Sequence, residues 1–200
     1  RQVFTGLNNQ YGGEYAHVSD PKELRYVVGD NVFLNQETNQ FQEISQNFQH
    51  SPILGWAYDG NPIYGPYGYA NPTDQNSGVR RLRTSYRLKP EIVEDPLTNP
   101  NPSRTDGPLL ADYPAGSFVP DYEYVFQAGD LDQYNGRFCK TPEYPEGTYA
   151  YFVSIDASEA GLPVFPYVCG PQLYSQPDTW NYSQDAVQTN IPLDVVRFRD

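Results

Sequence analysis

A mainly β, loop-rich domain of β-sandwich-like character, with long ordered Pro/Gly-rich loops and little helix, is predicted by three observations on this chain. Short strand-type runs recur along it, no segment keeps a convincing helical period, and Gly 16 and Pro 19 punctuate its 200 residues throughout. Tyrosine numbers 18 and methionine none, and hydrophobic residues are only 38%. Tyrosine must therefore do packing that Leu and Ile do elsewhere. A chain of this length can bury a substantial core as one domain with extensions.

The elements follow in order. Leu24–Val28 and Val32–Leu34 flank Gly29-Asp30-Asn31 and read as a hairpin, and Ile53–Tyr58 is a further strand. Val79–Lys89 alternates, with Leu82, Thr84, Tyr86 and Leu88 on one face and Arg81, Arg83, Ser85, Arg87 and Lys89 on the other, which predicts one half-buried strand with a basic outer face. From 90 to 120, prolines recur too often for a ladder or a helix, so an ordered loop is expected. Tyr122–Phe126, Thr148–Ile155 and Val164–Val168 predict three more strands, and Ile191–Phe198 a last strand or the entry to a linker.

Charge and cysteine usage narrow the function classes. Thirteen basic against 25 acidic residues leave a net charge of −12, which repels phosphate backbones and anionic lipid surfaces, so neither nucleic-acid binding nor membrane insertion is expected. No apolar run approaches the roughly 18–20 residues of a membrane span, and the first ten residues lack a signal-peptide pattern. The start at Arg1 and the lack of Met read as a processed product or a piece of something longer. Cys139 and Cys169 are too few for a disulfide scaffold and wrongly spaced for a zinc ribbon; two buried thiols or one disulfide both fit.

The segment His50–Tyr69, HSPILGWAYDGNPIYGPYGY, concentrates glycine, proline and aromatic residues and reads as a shaped aromatic platform. Rings of this kind beside amides and carboxylates suit sugar and protein contacts, or core packing. The binding candidates are Trp56, Tyr58, Asp59, Asn61, Tyr64 and Tyr67, joined by Arg81, Arg83 and Arg87 of the basic strand. That strand can dock an anionic glycan or an acidic subunit face, or can pair with carboxylates across a sheet. No cofactor is expected beyond a metal ion, for which His50 and Asp59 are the candidate ligands with Asp74 or Asp106; the plainer alternative is a loop-bonding His50 and an Asx turn at Asp59. Asp130, Asp132 and Asn135-Gly136 fall short of a calcium loop in spacing and lack its terminal Glu. No nucleophile elbow or phosphate-cradling glycine loop is present, so no catalytic residue is assigned. A polysaccharide hydrolase would have to draw a carboxylate pair from Asp59, Asp74, Asp106 and Glu123.

With SYRLK, GRFCKTPEYPEGTYAYF and LPVFPYVCGPQLY following in order, that segment resembles the YHYH domain family in the form found in structural proteins of marine cyanobacterial phages, over about residues 50–175. Residues 1–49 and 176–200 then read as extensions, linkers or strands of neighbouring domains. The resemblance implies a non-enzymatic structural or interaction module of a virion tail, fibre or baseplate-associated protein. Its implied partners are other virion subunits, within a homo-oligomer, and a host-surface glycan. A secreted metal-binding domain using His50 is the alternative, since the family also occurs in secreted bacterial proteins. The Tyr-His-Tyr-His tetrad is absent, the stretch before His50 reading FLNQETNQFQEISQNFQ. No role of those histidines carries over, and the polar candidates that remain are His50, Asp59, Asn61 and Tyr64.

Overall fold

The computed structural model describes residues 2–5, 14–17 and 19–177, the first two stretches by their backbone alone. The predicted strand Ile191–Phe198 and the extension from 178 onward lie outside the described residues. The fold is mainly β, with its strands shared among several small sheets and no closed barrel among the described residues. Strands β1 (Gln2–Thr5) and β2 (Glu14–His17) pair antiparallel, as do β3 (Val32–Asn35) with β4 (Gln40–Glu43) and β7 (Tyr67–Asn71) with β8 (Asp74–Arg81). The centre is a four-stranded sheet in the order β11 (Gly136–Cys139), β12 (Thr148–Phe152), β6 (Pro62–Tyr64), β5 (Ile53–Trp56), in which only β12 and β6 run parallel.

Alternation gives that sheet two different faces. Tyr64, Cys139, Ala150 and Phe152 point inward to form the core with Leu82 and Leu131. Tyr149 and Tyr151, one residue out of phase, share the opposite face, where the segment around Tyr174 lies on them; Tyr149 and Tyr174 stack at 3.7 Å between ring centres. Tyrosine therefore packs both sides, which is how so few aliphatic residues suffice. Both cysteines are free thiols, Cys139 buried and Cys169 half-buried.

Residues 24–28 are not a hairpin strand. Lys22–Val27 forms a short helix, α1, whose backbone bonds run from Arg25 N to Pro21 O and from Val28 N to Leu24 O. Gly29, at φ +78°, ends it in the left-handed region. The apolar residues Tyr26 and Val27 are exposed, and the buried one is Arg25, so the apolar look of LRYVV misreported which side chain faces inward. The helix aims Arg25 into a cluster of three carboxylates. Its Nε bonds Asp30 at 2.6 Å, Nη1 bonds Asp20 at 2.9 Å, and both terminal nitrogens grip Glu43 at 2.8 Å. Ser51 Oγ donates to Asp30 and the Tyr67 hydroxyl to Glu43, which ties residues 20–43 to the strands that follow His50.

One guanidinium cannot neutralise three buried carboxylates. Burial pushes Asp20 up to about 6, the Arg25 charge opposing this and Glu43 reinforcing it. A folded-state value above the ordinary 3.8 means that Asp20 contributes fully below about pH 4, and that the contribution is lost as pH rises through about 6. Asp20→Asn should therefore raise stability at pH 7 by about 2–3 kcal/mol and leave it nearly unchanged at pH 4. Urea unfolding at the two pH values checks this, and equal gains at both would refute it.

Two further strand expectations are corrected. Val79–Lys89 is broken: β8 ends at Arg81, and β9 (Tyr86–Leu88) pairs with β10 (Tyr122–Tyr124). Between them the chain changes partner. Arg83 N donates to the Asp130 carboxylate, Asp130 N to Arg83 O, and Ser85 Oγ to Leu131 O, so Ser85 is buried rather than outward-facing. Val164–Val168 is not a strand; Pro163 and Pro166 remove ladder donors, leaving one bridge between Ile155 and Pro163. Phe165 instead stacks on Tyr122 at 4.1 Å. The segment 90–120 is an ordered loop, as expected. Arg104 grips Asp121 with two bonds of 2.7 and 2.8 Å, and Gly116 N and Phe118 N donate to the same carboxylate. The Arg104 bonds hold Asp121 down to about 2.

Candidate functional site

The candidate site starts at the tip joining β5 to β6. Gly60 N bonds Ala57 O, Ala57 N bonds Asn61 O, and Gly60 sits at φ +82°: a tight turn followed by one left-handed residue, a conformation glycine adopts without cost. Pro62 then enters β6 opposite Trp56. This geometry leaves Trp56 57% and Tyr58 58% exposed on either side of Ala57.

Asp59 locks the tip. Its Oδ1 accepts from Asn61 N, the expected Asx turn, and its Oδ2 accepts from Asn61 Nδ2 at 2.9 Å, the Tyr151 hydroxyl at 2.6 Å and Ser175 N at 3.1 Å. The Tyr151 hydroxyl in turn accepts from Tyr174 N. Burial works against ionisation, but the bonds from Tyr151, Ser175 and Asn61 outweigh it and hold the Asp59 carboxyl below its usual range. The loop carrying the two exposed rings is thus clamped to the central sheet and to residues 174–175. Tyr151, Tyr174 and Ser175 were not singled out from the sequence. The one signal was the alternation of Tyr149 and Tyr151 in TYAYF, which puts both rings on one face without naming what meets them.

His50 and Asp59 are not brought together. Asp59 is bonded to Tyr151 on the outer face, whereas the His50 ring packs against Tyr64, Tyr69 and Phe152 at 5.2, 4.7 and 6.1 Å, on the core side. His50 Nδ1 lies 2.8 Å from Ser51 O, so Nδ1 carries the proton and Nε2 is a buried lone pair that bonds nothing among the described residues. Burial lowers the His50 pKa despite the Ser51 carbonyl, which keeps the ring neutral. Among the described residues no three His, Cys, Asp or Glu converge as metal ligands.

The remaining candidates separate. Tyr64 and Tyr67 are core residues: the Tyr64 hydroxyl bonds Thr141 and Glu143, and Tyr67 bonds Glu43. Arg87 pairs with Glu123 across β9 and β10 at 2.8 Å, as a cross-strand ion pair does. Arg81 and Arg83 instead line a cleft of about 360 Å³. Asp59, Asp74, Asp106 and Glu123 lie on four different loops and strands, and no hydrogen bond joins any two of them. Asp130 is engaged by Arg80 and Asp132 by the Tyr149 hydroxyl, so neither is a free calcium ligand.

Comparison with known proteins gives one match. A family model described as YHYH protein matches residues 6–160, taking in residues 6–49, which the sequence reading set outside the resemblance. No curated protein and no solved structure matches.

Proposed function

This chain belongs to the YHYH protein family, and from that premise we propose that it works as a non-enzymatic interaction module whose contact surface is the Trp56–Tyr58 tip. The observation that carries the proposal is a pair of large exposed rings on a loop already fixed by Asp59, Asn61, Tyr151 and Ser175. Aromatic anchors held rigid before binding lose little conformational entropy on docking and need no catalytic centre. The resemblance of residues 50–175 to the marine-phage form supports placing the module on a virion. There the tip would meet another subunit or a host-surface glycan.

The test measures binding of the purified chain to cyanobacterial envelope polysaccharide, and its self-association by sedimentation. Trp56→Ala and Tyr58→Ala should each weaken whichever contact is found by about tenfold or more. Trp56→Ala should leave stability within about 0.5 kcal/mol, as surface substitutions do. Cleavage of the polysaccharide that Asp59→Asn abolishes would overturn the proposal in favour of a hydrolase, and so would binding indifferent to both rings.

A further inference from the structure

The cleft holding Arg81 and Arg83 is independent of the Trp56–Tyr58 tip, and we propose that it binds an acidic sugar, one carboxylate-bearing ring of a glycan. Its walls are the end of β4 with the turn after it (Glu43, Ser45, Phe48), the end of β8 at Arg81 with Arg83 just beyond it, and the turn around Ser158 and Glu159. At about 360 Å³ it is in the range of small-molecule sites and roomy enough for one or two sugar rings.

The guanidinium of Arg81 specifies the carboxylate. Its Nη1 is used by the Asp156 carbonyl, while its Nε is buried and bonds nothing among the described residues. Nε is closed off from the cleft, so a ligand carboxylate would meet Arg81 through Nη2, for which no bond is found among the described residues. Arg83, 63% exposed by its side chain and only 3.8 Å from an Asp130 already held by Arg80, adds a second positive charge.

The acidic residues of the cleft argue for a sugar over a simple anion or an acidic peptide. Both Glu43 oxygens are consumed by Arg25, with Tyr67 adding a bond, and Asp156 accepts from Ser158 and Leu162. Neither carboxylate is hydrogen-bonded to Arg81, although the Arg81 charge helps to hold the Asp156 carboxyl below its usual range, and together with Glu159 and the net charge of −12 they repel a multiply charged chain. A single sugar carboxylate meets that repulsion once, and its ring offers hydroxyls to Glu159, Ser45 and Ser158. The ring's apolar face has Phe48, itself stacked on Tyr67 at 4.7 Å.

Calorimetric titration of the whole chain tests this with a disaccharide of one glucuronic acid and one neutral hexose, beside the same disaccharide with its carboxylate reduced to an alcohol. The acid should bind at least tenfold tighter than the alcohol. Arg81→Gln should remove that preference, and Arg83→Gln should weaken binding severalfold. Ala157→Trp, on the exposed turn lining the cleft, should block binding without removing any hydrogen bond, which guards against a misfolded Arg81 variant. Equal binding of acid and alcohol, unchanged binding in the variants, or tighter binding of a glutamate-rich peptide would overturn the proposal, the last by assigning the cleft to a protein partner. Trp56→Ala should leave this binding intact, so failure here and failure of the tip are separately visible.

Discussion

Arg25→Met is expected to cost about 4–5 kcal/mol or to prevent folding outright, as removal of one partner from a buried ion cluster does. Arg25 has no exposed surface and supplies bonds to Asp20, Asp30 and Glu43. Without it three carboxylates remain close together in a dry setting. Gly65 backs directly onto this cluster: a Cβ there would lie 2.4 Å from Asp30 Oδ2 and 2.7 Å from Ser51 Oγ, so the carboxylates have no room to spread. Arg25→Lys keeps the charge but loses the planar fork that reaches three partners, and should cost about half as much. Asp20, which burial already pushes up to about 6, takes up a proton as the pH falls and relieves part of the repulsion, so the Arg25→Met deficit should shrink between pH 7 and pH 5. Denaturant midpoints measure all three quantities. A loss below about 1 kcal/mol for Arg25→Met would show that the cluster contributes little.

The fold class was legible because turn residues and short β-type runs are local properties; the partners were not. The apolar run LRYVV offered two readings, and the carboxylates that decide between them stand at positions 20, 30 and 43. The alternation of 79–89 was real up to Arg81, and nothing in the run itself announces that Asp130, far along the chain, takes over Arg83. At the site, the turn chemistry of Asp59-Gly60-Asn61 was readable, and so were the platform rings. The clamp was hidden because Tyr151 and Ser175 lie 92 and 116 residues from Asp59. Sequence proximity had suggested pairing His50 with Asp59, and the pleat of β12 sets their partners, Phe152 and Tyr151, on opposite faces.

Asn135→Ala should cost about 4 kcal/mol and loosen the candidate site from a distance. Asn135 is fully buried at φ +61°. The Ser154 hydroxyl donates to its Oδ1, so the two Nδ2 hydrogens are left for the carbonyls of Phe152 and Val168, at 2.9 and 2.8 Å. Alanine would leave those two carbonyls and the hydroxyl unpaired in the interior, at roughly 1–3 kcal/mol each where no solvent reaches them. It would also pay about 1 kcal/mol for a left-handed conformation that Asn tolerates better. Asn135→Gly removes the backbone part alone and should recover about 1 kcal/mol. Asn135→Asp turns an oxygen toward the two carbonyls and should be at least as damaging as alanine. Val168 begins the segment that carries Tyr174 and Ser175 to Tyr151 and Asp59, so loss of its anchor should raise amide hydrogen exchange at Tyr174 and Ser175 more than in α1. If exchange at those two amides matches wild type while global stability falls, Asn135 serves the core only, and the clamp on the Trp56–Tyr58 tip stands without it.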